Sequence, residues 1–230
     1  MKIRRSLSTL TLLSVMVLAA LVAALPTPAS ADFKITGYGI HMDPSSQDAR
    51  DFSHPSYGGG VHAVFPSPFL AGLFGASVGL EGVSFKNETH EFRDPTTGLR
   101  VEQQTSQDMF RVYVGPEFGP HGFGFLRPHA AVHLSGAYYS ISTDVVVPDD
   151  YNRQQEIRQV LREKHEGSLG YDFTAGTDLN FGRFVVEGGA KLVKSFNVPQ
   201  QLGADAVKIH PAYIQIYIGL GINVRPSDLH

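Results

Sequence analysis

Apolar and polar residues alternate most regularly between Ser168 and Phe196. In the first half of this stretch, apolar positions such as Tyr171 and Phe181 alternate with polar positions such as Asp172. Successive side chains of a β-strand point to opposite faces, so this pattern predicts a strand with one apolar and one polar face. The same alternation continues after a turn at residues 180–183. The stretch therefore predicts a β-hairpin with an apolar and a polar face.

The length of the apolar face of this hairpin, measured along the membrane normal, is close to the thickness of the apolar part of a membrane. Tyr171 and Phe181 are ten residues apart. At a rise of about 3.3 Å per residue and a strand tilt of about 45°, this separation corresponds to about 23 Å of height. Barrels of the outer membrane carry an apolar band roughly 25 Å tall, with aromatic residues at both edges. The hairpin therefore favours strands that cross a bilayer.

The rest of the mature chain can be divided into six more strands, and the alternation is weak in the first of them and clean in the last. In order, the eight predicted strands are Phe33–His41, Tyr57–Phe65, a strand from about Gly75, Leu99–Gly115, Pro128 to about Val146, the two strands of the hairpin, and Ala212–Val224. Long polar segments follow the first, third, fifth and seventh strands, at 42–56, 86–106, 143–168 and 197–211. Compact connections follow the others. This rhythm predicts an all-β, eight-stranded antiparallel up-and-down transmembrane β-barrel with long extracellular loops and short periplasmic turns.

The pattern leaves the structure of residues 150–166 open. Ile157, Val160 and Leu161 lie among charged residues and fit one face of a short amphipathic helix. An extended pair of strands above the membrane fits the same residues equally well.

The N-terminus predicts export from the cytoplasm. Basic residues in the first five positions precede an apolar run at about 10–25, and Ala29-Ser30-Ala31 follows. This order is typical of a secretory signal peptide cleaved before Asp32. Pro26 and Pro28 end the apolar run and argue against a retained helix. We therefore assign residues 1–31 to a signal peptide and 32–230 to one barrel domain.

The composition narrows the function classes. The net charge of −3 and the absence of a basic cluster give no indication of nucleic-acid binding. The chain has no cysteine, so it has no disulfide framework. After the signal there is no apolar run of 18 residues, so no helix is expected to cross a bilayer.

The chain resembles the small bacterial outer-membrane β-barrel proteins of the OmpA and OmpX type. The signal, the segment 170–196, Arg127-Pro128 and the last strand carry the resemblance. It implies a location in the cell outer membrane among lipid and lipopolysaccharide, insertion by the barrel-insertion machinery, and no cofactor. Tyr217, Gly219 and Ile222 fit the family's C-terminal insertion signal loosely. The departure is Val224, where an aromatic residue is expected.

Charged residues on the polar faces are candidates for a network inside the barrel. An eight-stranded barrel has an interior that side chains can fill. The candidates are Lys34, Glu81, Arg111, His133, Asp172, Glu187 and Lys191. Both signs are present in similar number, as a packed network of ion pairs requires, because an unpaired buried charge costs several kcal/mol. A hydrated ion path through the same residues is the alternative.

The segment His133-Leu134-Ser135 raises the question of catalysis. Outer-membrane lipid A deacylases resemble it in placing a serine two positions after a histidine. The alternation of Val132 and Leu134 turns His133 and Ser135 inward, however, and Gly136 replaces the asparagine of that motif. Seven other histidines are scattered over different elements without metal-ligand spacing, namely His41, His54, His62, His90, His121, His165 and His210. We predict no catalytic, cofactor-binding or metal-binding residues.

The sequence favours a non-enzymatic barrel with a structural or surface-interaction role, in which the long loops bind a surface ligand. The alternatives are a lipid A-modifying enzyme, a narrow porin and a soluble lipocalin-like barrel. The last would need the apolar faces turned inward around a cavity. Whether Leu192, Ile216 and Ile218 point away from the barrel axis distinguishes it from the membrane barrels.

Overall fold

The computed structural model describes residues 33–67, 72–93, 100–121, 124–147, 157–196, 198–202 and 205–224. The predicted signal peptide at 1–31 lies outside these ranges. The described part contains one short helix and ten strands. They are β1 (Phe33–Pro44), α1 (Gln47–Phe52), β2 (Ser56–Pro66), β3 (Phe74–Arg93), β4 (Arg100–Phe118), β5 (Leu126–Val147), β6 (Ile157–Phe181), β7 (Phe184–Phe196), β8 (Val198–Leu202), β9 (Asp205–Ile209) and β10 (Ala212–Val224).

Eight of these strands form a closed barrel. Their order around the barrel is β1-β10-β7-β6-β5-β4-β3-β2, and β8 and β9 form a separate two-stranded sheet. All neighbouring barrel strands are antiparallel, and β1 closes the barrel against β10 from Phe33↔Val224 to Pro44↔Tyr213. Closure gives every one of these eight strands two partners, so the described barrel leaves no unpaired edge. The predicted eight-stranded antiparallel barrel is confirmed.

The barrel is apolar outside and polar inside. Leu192, Ile216 and Ile218 all lie on the outer surface, and Ile218 is 70% exposed. Charged side chains on the opposite face of the strands, at the alternate positions, point inward and are buried; Glu81 and Arg111 are examples. Exposed aliphatic rows around a closed barrel match the lipid-facing surface of a transmembrane barrel, and this orientation excludes the lipocalin-like alternative. No helix in the described ranges is long and apolar enough to span a bilayer.

Two of the long polar segments are mostly strand. The β3–β4 ladder continues to Arg93↔Arg100, and the β5–β6 ladder continues to Val147↔Ile157. Hydrogen bonding along these ladders satisfies the backbone groups of both strands, so the chain stays extended although its sequence is polar. Within 150–166, residues 157–166 belong to β6, which contradicts the helical interpretation there, and residues 150–156 lie outside the described ranges.

The other two long segments contain structure that the sequence analysis did not predict. Helix α1 lies within 42–56, and the Ser46 side chain caps it by accepting a hydrogen bond from the Ala49 amide at 3.2 Å. The β8–β9 hairpin lies within 197–211. The two segments meet where the amide of His210 donates to Asp48 at 2.7 Å and the amide of Ala212 donates to Ser46 at 2.9 Å. The long connections on this side therefore pack against one another.

The connections at the opposite end are compact. β6 and β7 are joined by Gly182 and Arg183, and Gly182 has a φ of 80°. A positive φ is accessible to glycine without a steric penalty, which explains the tight reversal. The first barrel strand, β1, begins on this side, and the last, β10, ends on it. This is the side on which the sequence predicts the short turns.

Candidate functional site

The interior of the barrel is the candidate site, because most of the buried charged groups of the described chain lie there. All seven residues named from the sequence have buried side chains. They are Lys34, Glu81, Arg111, His133, Asp172, Glu187 and Lys191. They divide into two groups along the barrel axis. We call the group around Arg111 the central layer and the group around Lys34 the turn-side layer.

The central layer is held together by Arg111. Its Nε donates to Glu81 at 3.0 Å, and its Nη1 donates to Asp172 at 2.9 Å. Lys191 forms a second ion pair with Glu81. Two cations therefore face two carboxylates, all of them almost completely buried. Alternation placed these residues on the inner face, and the barrel register brings β3, β4, β6 and β7 together around them.

Tyrosines complete the central layer, and the sequence analysis missed them. Tyr38 donates its hydroxyl hydrogen to Glu81 at 2.8 Å. Lys191 donates to Tyr113 at 3.2 Å, and its ammonium lies 4.5 Å from the centre of that ring. Gln215 adds a hydrogen bond to Glu81 at 3.3 Å. These residues occupy inward-facing positions of the alternation, and this pattern could have identified them. Their residue type gave no such indication, because aromatic residues are also common on a lipid-facing surface.

His133 has a different serine partner from the one suggested by the sequence. Its Nδ1 lies 2.6 Å from Asp172, and its Nε2 lies 2.7 Å from the hydroxyl of Ser77. Ser135 is buried nearby on the same strand but does not take part in this contact. Ser77, His133 and Asp172 thus follow the hydrogen-bond order of a Ser-His-Asp triad. Ser77 is only 1% exposed and Asp172 is also held by Arg111, so the arrangement is enclosed by the barrel.

The turn-side layer contains three residues that the sequence analysis did not select, namely His62, His129 and Asp178. Lys34 donates to Asp178 at 2.7 Å and to Glu187 at 3.0 Å. His62 Nε2 lies 2.9 Å from the same Glu187 carboxylate. Asp178 had the inward parity in the sequence, but the two histidines gave no spacing signal because β2 and β5 are not neighbours in the barrel.

Together the two layers close the interior of the described barrel. Arg111 and Tyr113 are completely buried in the central layer, so within the described chain no solvent reaches them from either end. Ion pairs and hydrogen bonds between five or more strands hold these side chains in place, and breaking a buried pair is costly. These contacts link strands around the interior and stabilise the barrel.

No protein-family model matches the sequence, and no curated protein sequence matches it significantly. Among solved structures, the barrel is similar to the Neisserial surface protein A, NspA, with a TM-score of 0.54 at 10% identity over 84% of this chain and 97% of that chain. Ail of Yersinia pestis, solved in complex with the heparin analogue sucrose octasulfate, has a TM-score of 0.42 at 10% identity, covering 84% of this chain and 97% of Ail. A major outer membrane protein of Thermus thermophilus has a TM-score of 0.43 at 11% identity, covering 83% of this chain and 99% of that chain.

The likeness to NspA concerns the fold, and the outer surface of this chain adds its own physical argument. Closed antiparallel barrels with an apolar exterior, a polar interior and an even number of strands are the spanning structures of bacterial outer membranes. The present chain meets each of these conditions. The protein therefore has the fold of the small eight-stranded outer-membrane β-barrels, and its outer surface is that of a barrel that spans a bilayer.

Proposed function

We propose that the protein is a closed, non-enzymatic anchor in the outer membrane that displays two long β-hairpins for binding at the cell surface. The observation that carries this proposal is the extension of β3–β4 and β5–β6 far beyond the apolar belt, above an interior filled with paired charges. A barrel that neither conducts nor exposes a reactive group has its available chemistry in these extensions.

The two hairpins have a similar reach. Past the bulge at Ser84/Lys86, the β3–β4 ladder adds eight residue pairs up to Arg93↔Arg100. At about 3.3 Å per residue, this is roughly 25 Å of strand. The β5–β6 ladder continues over a comparable distance from Ser140↔His165 to Val147↔Ile157. Neighbouring β4 and β5 also pair along this length, as far as Glu102↔Val146, so the extensions form one continuous sheet.

The extensions are polar and carry both signs of charge. The sequence KNETHEFR at 86–93 faces RVEQQTSQ at 100–107. Arg100 pairs with Glu91 and lies 3.4 Å from Glu102, and all three have solvent-accessible side chains. Exposed pairs of this kind contribute little to stability, so these charges are available to a partner. A paired, twisted sheet with alternating charges suits a polar macromolecule such as a glycan or a protein loop.

Shortening one hairpin tests this proposal. Residues 88–105 would be replaced by an Asn-Gly turn, which retains the spanning part of β3 and β4. Cells that display the intact or the shortened chain would be compared for adhesion to surfaces coated with heparin, lipopolysaccharide or fibronectin. We expect a loss of adhesion to at least one coating. A matched control shortens the β8–β9 hairpin, which lies in the separate two-stranded sheet, and should retain adhesion.

Two results would overturn the proposal. Equal adhesion of the intact and shortened chains on every coating would remove the binding role of the hairpin. Conductance steps of an open pore in a planar bilayer would show that the interior is not closed, and would favour the porin alternative.

The enclosed Ser77 and His133 give the enzymatic alternative its own test. A fluorophosphonate probe labels an activated serine that solvent can reach. We expect no labelling of the folded protein, because Ser77 is 1% exposed. Labelling that disappears in Ser77→Ala would establish a reactive serine and overturn the non-enzymatic part of the proposal.

We also propose that maturation follows the usual export route. The signal peptide is cleaved before Asp32, and the barrel-insertion machinery then reads β10. Mass spectrometry of the outer-membrane protein should find Asp32 as the first residue. Val224→Phe restores the expected aromatic residue and should increase the inserted fraction, whereas an unchanged fraction would argue against β10 as the signal.

A further inference from the structure

A cluster of three buried ligating side chains lies in the turn-side layer. His129 on β5, Asp178 on β6 and Glu187 on β7 offer one ligand atom each, and these atoms lie within 4.8 Å of one another. Asp178 and Glu187 are directly opposite each other in the β6–β7 register. Like charges in a cross-strand pair are destabilising. The position therefore requires positive charge.

Lys34 supplies part of that charge from one side only. Its ammonium donates hydrogen bonds to Oδ2 of Asp178 at 2.7 Å and to Oε2 of Glu187 at 3.0 Å. The other oxygen of each carboxylate, Oδ1 and Oε1, has no hydrogen-bond partner among the described residues. Nδ1 of His129 has none there either. Each of the three residues thus carries one buried atom without a hydrogen-bond partner among the described residues.

Leaving these atoms unpaired is costly, because each of the three side chains is at least nine-tenths buried. A buried polar atom without a partner costs about 1–3 kcal/mol, and more when it is charged. Among the described residues, Lys34 is the one lysine that contacts both carboxylates, and their other basic neighbours are the imidazoles of His62 and His129. Both features favour a cation at this position.

The distances fit an ion between the groups better than direct hydrogen bonds. His129 Nδ1 lies 3.5 Å from Asp178 Oδ1, and His129 Nε2 lies 3.6 Å from Glu187 Oε1. Direct hydrogen bonds of this type are about 2.7–3.2 Å long. Two ligands that bind one zinc ion tetrahedrally at about 2.1 Å are about 3.4 Å apart. The separation between His129 Nδ1 and Asp178 Oδ1 is close to that value, whereas the distance to Glu187 is measured from the other ring nitrogen, Nε2.

The surroundings would orient the ligands. Nε2 of His129 lies 3.2 Å from the hydroxyl of Tyr217, which would accept a hydrogen bond from a neutral imidazole that binds through Nδ1. Lys34 and His62 hold the outer oxygens of the carboxylates. Partners of this kind fix the orientation of metal ligands in known sites.

We propose that His129, Asp178 and Glu187 bind one divalent transition-metal ion, with zinc favoured by the nitrogen and oxygen ligands. The ion would link β5, β6 and β7 at the turn side of the barrel. Through Lys34, which lies near the start of β1, it would also tie the closure strand to the other side of the barrel.

The test uses the full mature chain refolded in detergent with ZnCl2 and then dialysed. The zinc content per chain would be measured by elemental mass spectrometry after dialysis against a range of free zinc concentrations. We expect about one zinc per chain in the wild type, and affinity reduced at least tenfold in His129→Gln and Asp178→Asn. His133→Gln is the matched control, because it removes a similar buried histidine beside a carboxylate in the central layer. It should retain the zinc.

Two outcomes would overturn the proposal. One is the same zinc content in the wild type and His129→Gln, which would assign any binding to exposed histidines. The other is equal loss of zinc in His133→Gln, which would indicate a general effect of folding. If the variants do not fold, cobalt binding to the wild type decides the question. The visible absorption of tetrahedral cobalt supports the site, and the spectrum of hydrated cobalt alone contradicts it.

Discussion

Neutralising Glu81 should strongly destabilise the barrel. Glu81 accepts hydrogen bonds from Arg111, Lys191 and Tyr38 and is 1% exposed. In Glu81→Gln the side chain keeps its size, but its amide group is a donor that faces two cationic donors. The central layer then has two cations and one carboxylate. Removing one partner of a buried ion pair costs about 3–5 kcal/mol, and we expect this loss in the free energy of unfolding.

A second substitution should recover much of that loss. Lys191→Met alone leaves two carboxylates facing Arg111, and should cost a similar amount. Combined with Glu81→Gln, it restores one cation and one carboxylate. The double variant should therefore be more stable than the sum of the two single changes predicts, with a coupling of at least about 2 kcal/mol.

Urea unfolding in lipid vesicles measures these differences. The chain has no tryptophan, so tryptophan fluorescence cannot follow the transition. Circular dichroism and the change in gel mobility on heating are used instead. A cost below about 1 kcal/mol for Glu81→Gln, or additive effects in the double variant, would refute the reasoning, since breaking a buried ion pair costs about 3–5 kcal/mol. Water would then solvate the central charges, and the interior would be a hydrated path rather than a packed network.

Three further predictions concern the outer face, the packing of the interior and the turns. Ile218 faces lipid in the middle of β10, so Ile218→Arg should lower the free energy of unfolding in urea by about 2–4 kcal/mol. Ile218→Leu should have little effect, and similar stability of the two variants would contradict the lipid-facing assignment. A Cβ at Gly79 would overlap with the ring and hydroxyl of Tyr113, so Gly79→Ala should cost about 1–3 kcal/mol, whereas Gly82→Ala, which meets no atom of the described chain within 4 Å, should cost less than about 0.5 kcal/mol. Equal costs in urea unfolding would contradict this close packing around Tyr113. Burial lowers the pKa of His121 in the β4–β5 turn below its ordinary value. The folded state then favours the neutral imidazole, so this contribution to stability is present above the unfolded pKa of about 6.5 and is lost as the pH falls below it. Urea unfolding at pH 7 and pH 5 should show a smaller loss in His121→Gln, and an equal loss would exclude His121 as a source.

The predicted membrane barrel rests on a property that each strand shows separately. In β10, Ile214, Ile216 and Ile218 alternate with polar or small residues, and the structure exposes these isoleucines on the outer face. A two-residue period is a consequence of strand geometry and needs no knowledge of the neighbouring strands. The number and direction of the strands follow from the positions of the turns. Both can therefore be read along the chain.

The extensions show where the local pattern is insufficient. Residues 86–93 have no apolar face and belong to a predicted long polar segment, yet they form the end of β3. Their pairing with β4 supplies hydrogen bonds that no alternation in the sequence reveals. For the same reason, the order of residues at 157–166 could not distinguish a helix from a strand.

The partners inside the barrel were determined by tertiary structure alone. Alternation by itself turned His133 inward and placed Lys34 and Glu187 on inner faces. It could not show that Ser77, which is 56 residues away along the chain, contacts His133, or that His129 lies beside Asp178 and Glu187. Those contacts depend on the register between strands and on closure of β1 against β10, which set the height of every side chain along the axis. Parity is a local consequence of the extended backbone, whereas the height and the neighbours of a side chain are fixed only when all eight strands have paired.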